Sequence, residues 1–359
     1  MDPVYLGGKT HHTKEENEMK KLLIVLVAFS VTSLLIISSV SYTLASSKKA
    51  TVLRLAVPWP PMDPVTVQIE AFAEKFNKRA EGRYVVQVHP GESLMKMGES
   101  FDGLRTGATE MAGWPIGVFG SVDRRFAAAE IPFLANNAEV DAAIQVELMP
   151  LYGEFMEKKF NMKPVFTFTC LALDIVGDVP IRTAADWKAV LMQSISPQSA
   201  RFIESMGAAP VAMPFVEGYQ ALQKNVVNAT MVSPQFIIMF KLHEVAKYVT
   251  YGYLIPASLM VAVNMDAFKK MPKDLQDIFV EEGLRAQKVT NDYFLNVAKE
   301  NPKTLKELGL KVYNLPKEER DRWEKTLQPY SDELFDKMEP EFSAKVKKIA
   351  AEMNAKYPY

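Results

Sequence analysis

The stretch PFVEGYQALQKNVVNATMV, residues 214–232, decides the fold. Phe215 to Lys224 reads as a helix entered through Pro214. Asn225 reads as a left-handed C-cap, a backbone region that Gly and Asn enter at low cost. Val226-Val227 then opens a strand. Upstream the same alternation recurs. Thr183 to Lys188 starts a helix and Val190 to Ile195 is a strand. Pro197 to Met206 is a helix stopped by Gly207, and Val211 to Met213 is a strand. Strands alternating with helices predict an α/β protein with parallel pairs.

The first unit is read the same way. Val52 to Val57 is a strand running into Pro58-Trp59-Pro60-Pro61. Asp63 has the character of an N-cap and Pro64 that of a first helical residue. Val65, Ile69, Phe72 and Phe76 share one helix face, Gly82 stops the helix, and Tyr84 to Val88 is the next strand. A right-handed crossover follows, and Trp59 falls at the C-terminal end of its strand, where ligand crevices of α/β sheets open. Gly98 to Arg105 is a helix, Glu110 to Gly113 a strand leading to Trp114-Pro115, and Leu259 to Val263 another strand. Pro272 opens a long helix with Leu275, Ile278, Phe279, Ala286, Val289, Tyr293 and Val297 along one side. Ending near Glu300, it would span about 40 Å, enough to cross two domains. The segment 311–359 is charged, helical in pattern, and expected to pack on the outside.

A chain of 359 residues has room for about two domains. Net charge is −1 with no basic block, which argues against a nucleic-acid partner. Met19-Lys20-Lys21, the apolar run Leu22 to Ile37 and Thr43-Leu44-Ala45 form a secretory signal with cleavage before Ser46. A retained anchor is the alternative reading. Residues 1–18 read as an extension upstream of the natural start at Met19. Cys170 is the single cysteine, so no intramolecular disulfide can form, and it reads as buried and inert. His89 and His243 lack the convergent partners of a metal site. No metal or cofactor is expected.

Residues 214–232 resemble the most characteristic segment of the DctP-type solute-binding proteins of TRAP transporters. That segment reads as a Pro-x-x-Glu-x-Tyr-x-Ala-Leu helix followed by Gly-Val-Val-Asp-Gly. Glu217, Tyr219, Ala221, Leu222, Val226 and Val227 match it. So do Lys241 to Tyr248, Val263-Asn264 with Met271-Pro272, Pro90 to Leu94, Thr106 to Ala112, and Ile131 to Leu134, in family order across residues 51–300. The resemblance implies a two-lobed periplasmic binding protein of type II-like α/β fold with a long helix spanning both lobes. It implies a small organic ligand enclosed between them, delivery to TRAP membrane permease subunits, and no catalysis. The expected division is 1–45 extension and signal, 46–173 first lobe, 174–263 second lobe, 264–310 return to the first lobe with the long helix, and 311–359 outer helices. A monomer is expected, with a dimer as alternative.

The resemblance also directs attention to Gln193. Aligning Asp186 to Met192 with the family turn places Gln193 where members carry an Arg that pairs bidentately with a ligand carboxylate. Gln supplies donors and an acceptor but no charge. The ligand is then either not a simple carboxylate, or one held by other groups. A dicarboxylate paired with Arg182 or Arg201 is the competing possibility. Trp59, Trp114, Phe168, Phe215 and Phe236 lie near expected strand ends, as apolar lining of a ligand pocket would. Phe168 and Phe215 also fit a packing role. Glu217, Asn228 and Ser233 complete the candidate set. An ATP-driven importer's binding component or a ligand sensor would have a similar fold. An exported enzyme is disfavoured, since no Gly-x-Ser-x-Gly or His-Glu-x-x-His motif occurs.

Overall fold

The computed structural model describes residues 49–359. The signal segment lies outside the described residues. Among the described residues no helix is long and apolar enough to cross a membrane.

In chain order the elements are β1 (Thr51–Ala56), α1 (Pro64–Ala80), β2 (Tyr84–His89), α2 (Met97–Thr106), β3 (Met111–Pro115), α3 (Ala138–Phe160) and β4 (Met162–Gly177). There follow β5 (Leu191–Ser194), α4 (Pro197–Ser205), β6 (Ala209–Ala212), α5 (Gly218–Gln223), β7 (Ala229–Val232), α6 (Pro234–Met239) and β8 (Tyr248–Asn264). The chain ends with α7 (Met265–Lys270), α8 (Lys273–Glu307), β9 (Lys311–Asn314), α9 (Lys317–Asp336) and α10 (Pro340–Lys356). Local signals are obeyed. The Asp63 carboxylate accepts the Val65 N–H at 2.8 Å, and Pro64 opens α1. Val65, Ile69, Phe72 and Phe76 are all buried. Asn225 adopts φ +56°, the left-handed turn expected after α5.

One nine-stranded sheet runs β2-β1-β3-β8-β4-β7-β5-β6, with β9 added to β8. β1 is parallel to β2 and β3, and β5 is parallel to β6 and β7. Between these parallel groups lie two long antiparallel strands, β4 and β8, paired from Met162↔Asn264 to Gly177↔Tyr248. Sequence reading finds only the last third of β8. Pro164 and Pro256 break the strand pattern, since proline cannot donate to a ladder. Both sit at register shifts, where the missing donor costs nothing.

The long helix α8 runs 35 residues, about 52 Å. It packs on α1 and β4 at one end and on α6 and β9 at the other. It continues through Pro302 rather than stopping near Glu300. Burial of Asn301 and Leu305 holds the last turns in place against the lost hydrogen bond. The C-terminal segment is more than an outer coat. Trp323 is fully buried, edge-on to Trp187 at 5.2 Å, and Phe342 meets Tyr152 and Phe155. Replacing Trp323→Ala is expected to cost about 3–5 kcal/mol in urea unfolding, while exposed Lys325→Ala stays within about 0.5 kcal/mol.

Candidate functional site

The strand registers fix where a ligand can lie. β3 runs toward the second parallel group and ends at Pro115, opposite Leu259, which pairs with Phe168. β7 runs the other way and ends at Val232, opposite Asp174. The C-terminal ends of the two parallel groups therefore point at each other across residues 169–173 of β4 and 253–258 of β8. Ligand crevices of α/β sheets open at such ends.

Both floor strands carry one left-handed residue, Leu171 at φ +65° and Tyr253 at φ +51°. Such residues are costly and persist only where neighbours hold them. The Leu171 N–H donates to Thr169 Oγ1 at 2.9 Å. The Tyr253 hydroxyl donates to Asp141 at 3.0 Å. Asp141 also accepts from Thr169 at 2.6 Å and from Ser258 and Gln145 at 3.2 Å each. Burial raises its pKa, and these four donors pull it back. The peptide before Tyr253 is gripped from both sides. The Gly252 N–H donates to Asp174 at 3.0 Å, and the Gly252 carbonyl accepts from Arg320 Nε at 3.1 Å. Arg320 is 2% exposed, lies between the rings of Phe133 and Tyr359, and also donates to the Ala135 carbonyl at 2.9 Å. Burial pushes the Asp174 carboxyl up to about 7, against the pull of the 252–254 backbone amides and Arg320.

Five of the sequence candidates belong to the facing ends. Trp59 follows β1 and is half-buried. Ser233 is buried at the end of β7, and Phe236 on α6 packs against the cores of both halves. Phe215 is half-buried, edge-on to Phe240 at 4.9 Å. Gln193 is 2% exposed, and its Nε2 donates to the carbonyls of Pro214 at 2.8 Å and Phe215 at 3.3 Å. Its Oε1 is buried without a partner. Ala189, at the turn before β5, is left-handed at φ +65°. Glu217 is exposed on the adjacent lip.

Three candidates lie elsewhere. Trp114 is fully buried beneath Phe101 and Phe119, although its Nε1 has no partner. Phe168 is fully buried, stacked on Phe294 of α8 at 6.0 Å. Their apolar bulk fills core layers, the ordinary fate of large rings. Asn228 sits at the N-terminal edge of β7, where it accepts the Leu191 N–H at 3.0 Å and donates its own N–H to the Leu191 carbonyl at 2.7 Å. It braces β7 to β5 at the end away from the crevice. The alternative arginines are engaged: Arg182 lies over Tyr313 at 5.3 Å and Arg201 pairs with Glu333. Sequence reading missed Gln235, whose Nε2 donates to the Cys170 carbonyl at 3.1 Å and whose Oε1 is buried without a partner. It also missed Asp141, Asp174 and Arg320, which no motif marks. Cys170 is buried, and burial pushes its thiol well above the ordinary range, as an inert side chain requires.

A profile of the DctP family, described as bacterial extracellular solute-binding protein family 7, matches residues 55–338. The chain belongs to this family. The C4-dicarboxylate-binding periplasmic protein DctP of Rhodobacter capsulatus is 29% identical over 315 residues, covering 83% of this chain and 90% of that protein. The 2,3-diketo-L-gulonate-binding periplasmic protein YiaO of Escherichia coli is 23% identical, covering 79% and 87%. The fold matches a TRAP periplasmic solute-binding protein from Ochrobactrum anthropi with TM-score 0.78 at 20% identity, covering 87% of this chain and 99% of that one. It also matches DctP7 of Bordetella pertussis, solved binding pyroglutamic acid, with TM-score 0.76 at 19% identity, covering 84% and 100%. This DctP-family chain thus has the two-lobed fold of an extracytoplasmic solute-binding protein.

Removing Arg320 should expose the strain at the hinge. Arg320→Met leaves the Gly252 and Ala135 carbonyls buried without their donor and removes the cation paired with Glu324 and lying near Asp174, at a cost of about 3–5 kcal/mol. Asp174 has a folded pKa above its unfolded value, so its protonated form favours folding and stability falls as pH rises from about 4 toward 7. Loss of the cation raises that pKa further. The penalty of Arg320→Met, measured by urea unfolding, should therefore be smaller at pH 5 than at pH 8.

Proposed function

We propose that this protein is the receptor of a TRAP-type transporter, that it captures a small organic acid without an arginine clamp, and that it passes the ligand to membrane permease subunits. The observation that carries this reading is Gln193 at the end of β5, buried and tied to the Pro214 and Phe215 carbonyls. Relatives and structural neighbours support the ligand class. Their names record C4-dicarboxylate, pyroglutamic acid, orotic acid, D-glucuronate, succinate and galactonate.

In this reading Trp59, Phe215, Ser233, Gln235 and Phe236 line the cleft, and Glu217 stands at its rim. The first lobe is 46–173 with return at 264–310, the second is 174–263, and the pivots lie at Leu171 and Tyr253. The protein acts as a monomer that binds without turnover. Export uses a signal starting at Met19 and cleaved before Ser46.

A thermal-shift screen across organic acids and neutral metabolites tests the reading. A ligand at 100 times its Kd should stabilise by about 2.7 kcal/mol. If no organic acid raises the melting temperature, the proposal fails. Gln193→Arg should move selectivity toward dicarboxylates such as succinate by at least about tenfold, the scale of one charge-assisted bond. Unchanged selectivity would remove Gln193 from the site.

A further inference from the structure

Beyond the cleft floor, the second lobe holds a cavity of about 440 Å³ at the C-terminal ends of β5 and β6 beside the first turn of α4. Ligand pockets fall in the range of about 300–1,000 Å³. Its lining is Ile195, Ala200, Ala212, Met213 and Pro214 together with Ser194 and Ser196, and none of these is charged. The serines are already satisfied within the chain. Ser194 Oγ bonds the Ser196 carbonyl at 2.9 Å and Ser199 Oγ at 3.0 Å. The N–H groups of Ile195 and Ser196 both donate to Ser199 Oγ, and the Ser199 N–H donates to Ser196 Oγ at 3.1 Å. Ser196 Oγ so caps one N–H of the first turn of α4. The serine groups face one another, and what remains toward the cavity is apolar surface.

Exposed apolar side chains also occur on the loops that follow the strand ends. In the second lobe Ile195 is 48% exposed and Val216 74%. In the first lobe Met62, in the turn after β1, is 86% exposed, and Val118, just after β3, is 42%.

We infer that the ligand carries an apolar arm, alkyl or aryl, which lies in this cavity between α4 and the β5–β6 edge while its carboxylate points out toward the cleft. The inference rests on the solute-receptor reading and narrows its ligand class to organic acids with such an arm. Affinity then comes from burying the arm, and lobe closure covers it with these loop residues.

The test is a titration of the straight-chain monocarboxylates from acetate to octanoate, with phenylacetate, succinate and galactonate alongside. Binding should tighten about fourfold per methylene until the cavity is full. Ala200→Leu and, independently, Ala212→Leu fill the cavity. Each should erase the gain of the longer chains while leaving the shortest binding member within about twofold. Two variants on different elements guard against one that fails to fold. A flat series, or a chain-length gain that survives both fillings, overturns the apolar arm. Succinate or galactonate binding tightest, unaffected by either variant, also overturns it while leaving the receptor reading standing. Silence from every acid removes both.

Discussion

The Gly252 peptide, held between the Asp174 carboxylate and the Arg320 guanidinium, is the contact on which the architecture turns. This contact holds the peptide before the left-handed residue of β8, so that Tyr253 can send its hydroxyl to Asp141. Without that left-handed residue β4 and β8 would form a straight two-strand ladder. The two parallel groups would then be parts of one stiff sheet. With it, the ladder is interrupted at the level where the strand ends face each other. The site is polar and buried, and unpaired buried polar groups cost far more than paired ones repay. The sequence therefore commits an arginine, two aspartates, a tyrosine and two threonine or serine hydroxyls to one junction. The same arginine reaches the 131–135 loop of the first lobe and the ring of Tyr359, which donates to the Leu315 carbonyl beyond β9. Both lobes and the C-terminal tail are referred to a single side chain.

What could be read from the sequence follows from how local each signal is. The capping of α1 by Asp63 and the left-handed Asn225 are decided within a turn or two of chain and are found as expected. The face of α8 is found only in part: Leu275, Phe279 and Ala286 are buried, but Val289 is exposed and Phe294 is buried in its place. The long strands were not legible. Their prolines deny the ladder pattern locally, and only pairing with a partner more than 80 positions away shows that bulges accommodate them. Arg320 escaped for the same reason. It stands in the run KEERDRWEK, which reads as a solvated helix face. Its burial is a fact of what α9 packs on. Trp114 and Asn228 show the limit in reverse, since a residue can be assigned to a strand end correctly while the sequence leaves open which layer or which end it occupies.

Gln193 gains meaning from its surroundings. An arginine at that position would bring a full charge into the second lobe's strand end, and its fork would suit a carboxylate. The glutamine instead turns its amide to the Pro214 and Phe215 carbonyls and stiffens the turn that forms one wall of the β5–β6 cavity. The substitution thus removes a polar anchor and shapes an apolar one with the same side chain.

The electrostatics of the floor point the same way. Asp141 accepts four donors, which oppose but do not cancel the upward push of burial on its pKa. Asp174 takes backbone amides beside it. A ligand carboxylate descending to the hinge would meet this acidic floor in a region of low dielectric, where like charges repel strongly and water cannot screen them. Arg320 offsets part of that charge, but its guanidinium is directed into the chain by two backbone carbonyls. In the proposed reading, a carboxylate stays toward the rim and an uncharged surface meets the floor. Recognition energy in that reading is drawn from apolar burial beside α4, where Ser196 Oγ already caps the Ser199 N–H.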